Sequence, residues 1–203
     1  MFPFDVILFD VGGVLLTNGW DHNERAQTAL HFGLDLADFE ARHSAAYPAW
    51  ERDETSIKTY LDATVFYEPR GFSFDDFFAY MLTLSKPLQD NALGILEELA
   101  ISGNYFLGSL NNESRETNDY RFRTYGLRDL FEVALSSCYL GLRKPDAAIY
   151  RRAIDILGRP AERILFIDDR EENAAAARAA GMKAIRFTGA DDLRRELTQL
   201  KVI

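Results

Sequence analysis

Five residues in this chain could do chemistry together: Asp10, Ser109, Lys144 and the adjacent pair Asp168 and Asp169. Asp10 follows the apolar run "VILF" in "DVILFDVGGVLL", which reads as a strand buried on both faces with a carboxylate at its carboxyl end. Open α/β sheets carry their chemistry at that end. Ser109 closes the apolar segment "YFLGS", Lys144 stands just before a helix start at Pro145, and the acid pair ends "ILFIDD". Taken singly, each has a bland explanation: a turn former, a hydroxyl bonding its own backbone, a solvated lysine, a helix cap. Taken together they are the parts of a metal-assisted phosphoryl transfer: a carboxylate nucleophile, a cation, a hydroxyl and paired acids. Mg²⁺ takes oxygen ligands, typically one or two carboxylates with waters and substrate phosphate. Asp10 and Asp169 can supply those carboxylates, with Asp168 beside them. Lys144 would neutralise phosphate charge, while Ser109 and backbone N–H groups would donate to phosphate oxygens.

These residues converge only if their strands share a sheet. From residue 88 onward, strands alternate with helices: a helix over 89–102, "YFLGS", a helix over 113–125 and a strand near "FEVAL". A helix from Pro145 to Gly158 follows, then "RILFI", a helix over 171–180, "KAIRF" and a helix over 191–200. That alternation predicts a parallel sheet covered on both faces. The first strand must join it, because its apolar run has no other place to be buried. Residues 18–87 instead read as four helices, capped at Asp21, Asp35, Ser56 and Ser73 with Asp76 three positions on. The expected architecture is therefore α/β: a doubly wound core of residues 1–17 and 88–203 with a helical insertion, 18–87. Insertions behind a catalytic strand commonly serve as lids.

Composition narrows the partners. The 203-residue chain carries a formal charge of −9, which weighs against a nucleic-acid role and means that an anionic substrate needs a local cation or a metal. No apolar run approaches the roughly 20 residues of a membrane span. No basic region precedes the first apolar run, so a secretory leader is not expected. The single cysteine, Cys138, excludes an intramolecular disulfide framework and a multi-cysteine metal site, which fits a reducing cytoplasm. Neither oligomeric state nor the identity of the substrate is legible.

The segments "FDVGGVL", "GSLNN", "GLRKPDAAIY" and "FIDDREENAAAARAAGM" resemble, in order, the four motifs of the haloacid dehalogenase-like superfamily. The resemblance extends to a subgroup containing bacterial sugar-phosphate phosphatases and the amino-terminal phosphatase domain of soluble epoxide hydrolase, whose helical cap "ERDETS" also resembles. It implies an α/β core and Mg²⁺-dependent hydrolysis of a small phosphorylated metabolite, a sugar phosphate favoured, through an aspartyl-phosphate on Asp10. It further implies that Ser109 and Lys144 hold the phosphate, helped by the backbone of Val11, Gly12, Leu110, Asn111 and Asn112. Asp10, Asp169, Asp168 and the Gly12 carbonyl would hold the metal, with Asn112 and Asn173 in support. "WERDE" groups charges beside Trp50 where the helical rhythm breaks, so Trp50 and Glu51 are expected to face substrate.

Gly12 departs from the family pattern. The position two after the nucleophile is usually an Asp that protonates the leaving oxygen and later activates water. Such help is typically worth about 10²–10⁴-fold. The proton would have to come from water or from an insertion residue such as His22, Glu24, His43 or Glu51. Two rivals stand beside the phosphatase: a carbon–halogen hydrolase of the same superfamily, and a non-catalytic member that binds a phosphorylated metabolite or a protein. The paired acids argue against the first, and retention of the remaining groups against the second. "DVGGVL" lacks the G-x-G-x-x-G spacing of a dinucleotide site.

Overall fold

The protein is described here from a computed structural model, over residues 3–203. β1 (Val6–Phe9) is followed by four helices, α1 (His22–Phe32), α2 (Leu36–Glu51), α3 (Ile57–Thr64) and α4 (Phe74–Thr83). The alternating part then runs α5 (Leu93–Ser102), β2 (Phe106–Asn111), α6 (Arg115–Thr124), α7 (Leu127–Leu130), β3 (Val133–Ser136) and α8 (Ser137–Leu140). It ends with α9 (Ala147–Leu157), β4 (Ile164–Asp168), α10 (Glu171–Ala179), β5 (Lys183–Arg186) and α11 (Ala190–Gln199).

The five strands are parallel in the order β3-β2-β1-β4-β5. Side chains alternate between the faces, and each face has its own apolar cluster. Ile7, Phe9, Leu107, Leu165 and Ile167 pack under Leu96, Leu99, Leu193 and Leu197 of α5 and α11. Val6, Leu8, Leu110, Ile164 and Phe166 pack under Ile149, Tyr150, Ala153, Ala174 and Ala177 of α9 and α10. Helices on both faces are what a sheet of near-continuous apolar strands requires. β1 is central, and its last residue, Phe9, stands level with Ser109 on one side and Ile167 on the other.

The insertion has a third cluster of its own, with Trp20, Phe39, Trp50, Tyr60, Leu61 and Phe77 buried among its four helices. All four expected caps form: Asp21, Asp35, Ser56 and Ser73 each accept from the backbone N–H three residues on, and Asp76 returns the bond to Ser73. α2 departs from expectation. The sequence predicts an end near Ala46, yet the helix continues through Pro48 to Glu51. Proline inside a helix costs about 3 kcal/mol or more. Burial of Phe39, His43 and Trp50 along one face of the same helix offsets it. The excursion begins and ends in one place. Thr17 N–H donates to Lys86 C=O (2.7 Å), Lys86 N–H to Thr17 Oγ1 (3.2 Å), and Leu16 pairs antiparallel with Pro87.

Candidate active site

Asp10, just past β1, accepts its neighbour's N–H from Val11 (2.8 Å) on one oxygen and pairs with Lys144 Nζ (2.9 Å) on the other. Lys144 donates more closely still to Asp168 Oδ2 (2.6 Å) at the end of β4. Asp168 is anchored in turn by the Arg170 N–H (2.9 Å) and by Asn173 Nδ2 (3.0 and 3.1 Å) at the start of α10. Asn112 fixes the lysine's backbone from both sides, its Oδ1 accepting from Lys144 N (2.8 Å) and its Nδ2 donating to Lys144 O (2.9 Å). The adjacent strands β1 and β4 thus deliver a nucleophile-type carboxylate and a second carboxylate, and the loop between α8 and α9 a buried cation, to one point.

The charges do not balance within the chain. Burial pushes the Asp10 carboxyl up, Lys144 pulls it back and Asp168 pushes again, leaving it at about 8. Burial also raises Asp169, with Asp168 adding to the effect. Burial opposes a charge on Lys144, but Asp10 and Asp168 outweigh it and hold the ammonium more firmly than usual. Asp10, Asp168 and Asp169 can bring ligand oxygens within 4.8 Å of one another, and Asp169 Oδ1 is buried with no hydrogen-bond partner. Three clustered carboxylates against one ammonium, with one buried oxygen of Asp169 unpartnered, fit a divalent cation such as Mg²⁺. Gly13 keeps the donor set open. Its φ of +74° is a backbone that favours glycine, and a Cβ there would collide with the Asp169 carboxylate.

Above this floor lies a polar cavity of about 400 Å³ between sheet and insertion. From the sheet side it is lined by Asp10, Gly12, Asn112, Arg143, Lys144 and Asn173, and from the insertion by His22, Arg25, His43, Tyr47 and Glu51. A roomier hollow, about 600 Å³, opens at the opposite end of the sheet around Phe4, Val6 and Phe106, and holds none of these groups. Its place at the amino ends of the strands makes it the poorer candidate. Glu51 is buried and ion-paired with Arg143, while Tyr47 hydrogen-bonds it. Burial lowers His43 to about 4, with Arg25 adding to the effect, and Tyr60 hydroxyl lies 2.8 Å from its Nδ1. The insertion is docked by Arg115 on Asp53 (2.6 Å), by Glu116 accepting from Trp50 Nε1 (3.1 Å) and Ile57 N (3.3 Å), and by Ser137 Oγ donating to Glu51 O (2.8 Å).

Five expected positions differ. β2 runs two residues past "YFLGS", so Ser109 lies inside the sheet, fully buried, donating to Asn111 Oδ1 (3.1 Å). Asn111 is likewise consumed, accepting also from Ser136 Oγ (2.8 Å) and donating to Asn118 (2.9 Å), and Leu110 is packed in the core. Of that stretch it is Asn112 that lines the cavity. Trp50 points into the insertion's own core, stacked 4.3 Å from Tyr60, because α2 has not yet ended there. Glu24 is buried beside Trp20, accepting its N–H (2.5 Å), and lines no part of this cavity. Asp168 joins the carboxylate group, but its oxygens are already taken by Lys144, Arg170 and Asn173. Sequence reasoning missed Arg25, Tyr47 and Arg143; Arg143 stood beside Lys144 in "GLRKPD", and the other two carried no signal.

Fold and site together define a doubly wound enzyme core with carboxylates at its strand ends beneath an inserted helical layer. The family model described as haloacid dehalogenase-like hydrolase matches residues 4–181, and the chain belongs to that family. Among relatives, a sesquiterpene phosphatase of Aspergillus oryzae is 36% identical over 72 residues, covering 36% of this chain and 37% of its own. The matches span 13% to 37% of the length of the curated relatives. A Bacteroides thetaiotaomicron family enzyme, solved with magnesium and inorganic phosphate, superposes with a TM-score of 0.79 at 18% identity, over 95% of this chain and 98% of that one. An L-2-haloacid dehalogenase superposes at 0.69 and 19% identity, over 97% and 99%. At such identities the likeness speaks for the fold.

Proposed function

We propose that this hydrolase is a Mg²⁺-dependent phosphatase acting on a small phosphorylated metabolite, with residues 18–87 as the cap over its site. The observation that carries the reading is Asp10 held by buried Lys144 among paired carboxylates on the floor of a polar cavity. Asp10, Asp169 and the Gly12 carbonyl would hold the ion, with Asp168 behind them. Bound there, Mg²⁺ would neutralise charge on the phosphoryl oxygens and lower the penalty on the clustered acids. Asp10 Oδ attacks phosphorus, the bond to the leaving oxygen breaks, and an aspartyl-phosphate forms. Water then attacks phosphorus, the Asp10–phosphorus bond breaks, and phosphate is released. Lys144 holds Asp10 in place and offers its charge to the transferring group.

A lining of charged and amide side chains favours a hydrophilic leaving group such as a sugar over a long apolar chain, for which such groups would be costly to bury. A cytoplasmic setting accords with the metabolite class. The test is a panel of phosphorylated metabolites assayed with Mg²⁺ and with chelator. Turnover that needs Mg²⁺ is expected. Full activity in EDTA on 2-haloacids would instead establish the dehalogenase.

A further inference from the structure

We propose that Glu51 protonates the leaving oxygen and then activates water, replacing the acid that Gly12 lacks. The inference rests on the phosphatase reading above and names one of its residues. Position 12 itself has little room: a Cβ there would lie 3.3 Å from Asn18 Cα and 3.4 Å from the Asn18 carbonyl oxygen. The donor must therefore come from elsewhere around the cavity.

Most lining groups are committed. Asp21 caps α1 by accepting from Glu24 N (2.9 Å). His22 has 65% of its side chain exposed and is held by Glu40 (3.0 Å). His43 is neutral at ordinary pH and bonded to Tyr60. Glu172 sits at the rim with 63% of its side chain exposed. Glu51 differs. Among the described residues it is the one cavity carboxyl, apart from Asp10, that is buried. Its backbone is tied to the core by Ser137 at the start of α8, and its side chain by Arg143.

The groups facing Glu51 suit a carboxyl that must give and regain a proton. Burial favours its protonated form, while Arg143 beside it, Tyr47 one turn back on α2, and Lys144 favour the ionised one; the balance is raised. Glu113, from the loop after β2, adds its own negative field nearby. The proton budget closes without a further reactant. As the Asp10–phosphorus bond forms and the ester bond breaks, the Glu51 proton passes to the leaving alkoxide, giving an alcohol and a Glu51 carboxylate. As water attacks, its proton returns to Glu51, the Asp10–phosphorus bond breaks and phosphate leaves.

The test compares wild type and Glu51→Gln with Mg²⁺, on a sugar phosphate and on p-nitrophenyl phosphate, whose leaving group needs no proton. For Glu51→Gln, kcat/KM on the sugar phosphate should fall by about 10²–10⁴-fold and on the aryl ester far less. The aryl ester should then show a burst of nitrophenolate, because the second step still lacks its base. The alkaline limb of the wild-type sugar-phosphate profile should vanish in the variant. An equal fall on both esters without a burst, or no fall, would overturn the inference while leaving the phosphatase intact. Wild type offers a check that needs no variant: a flat dependence of kcat/KM on leaving-group pKa supports a proton donor, and a steep one removes it. If wild type hydrolyses neither ester with Mg²⁺, both readings fall.

Discussion

Asp10 is costly where it stands, and that cost is measurable apart from catalysis. A carboxyl whose pKa is raised in the fold keeps its proton after the unfolded chain has lost its own. Stability is therefore lost as pH climbs from about 4 through about 8 in the metal-free protein. Asp10→Asn should abolish turnover, since an amide cannot form the acyl-phosphate. The same substitution should raise the metal-free Tm near neutral pH by a few degrees, at about 2–4 °C per kcal/mol for a chain of this size. Thermal melts alongside the assay would show both; residual turnover would remove the covalent route. Lys144→Ala should cost about 3 kcal/mol of transition-state stabilisation, as for one preorganised donor, read from kcat/KM. Gly13→Ala should weaken Mg²⁺ binding at least tenfold in a titration, because its methyl displaces Asp169. Asp10, Lys144 and the acid pair were legible in the sequence because each follows a buried strand or opens a helix. Ser109 was misread for want of two residues: nothing in "YFLGSLNN" marks whether the strand ends at the serine or at Asn111.

Helix α2 shows how burial overrides a local signal. Pro48 and the charged "WERDE" both argue for a turn, yet the apolar face from Phe39 to Trp50 keeps the helix going. Trp50 is consequently a core residue and Glu51 a cavity residue, though they are neighbours in sequence. Trp50→Ala should cost about 3–5 kcal/mol in chemical denaturation, as a large buried aromatic does. Trp50→Phe should cost less and leave KM for the substrate unchanged, since the indole does not reach the cavity. A large KM change in a folded Trp50→Phe would return the side chain to the substrate. The four helix caps were readable because capping is a short-range pattern of a few atoms. The partners across the cavity were not, because Arg25, Tyr47 and Arg143 meet only once the helices have docked.

For the whole molecule, strand alternation announced the layered core, and the order β3-β2-β1-β4-β5 follows from parallel crossovers that place β1 in the middle. The acidic chain of net charge −9 gathers three of its carboxylates at its centre, so the fold itself should respond to a dication. Mg²⁺ at about a hundred times its dissociation constant should stabilise wild type by about 2.7 kcal/mol. Asp169→Ala should lose that gain in melts with and without the ion; an unchanged gain would place the ion elsewhere.

The meeting of Thr17 with Lys86 makes the insertion a loop closed at its base. The core's sheet therefore does not register how many residues lie beyond that closure, and lengthening a closed loop adds only slowly to its entropic cost, about 0.6 kcal/mol per doubling. Since the insertion's apolar residues are buried among themselves and it meets the core through ion pairs and hydrogen bonds, a change of roof need not disturb the floor. What covers Asp10 could thus be exchanged without the core relearning how to fold, although a roof without Glu51 would take its proton donor with it.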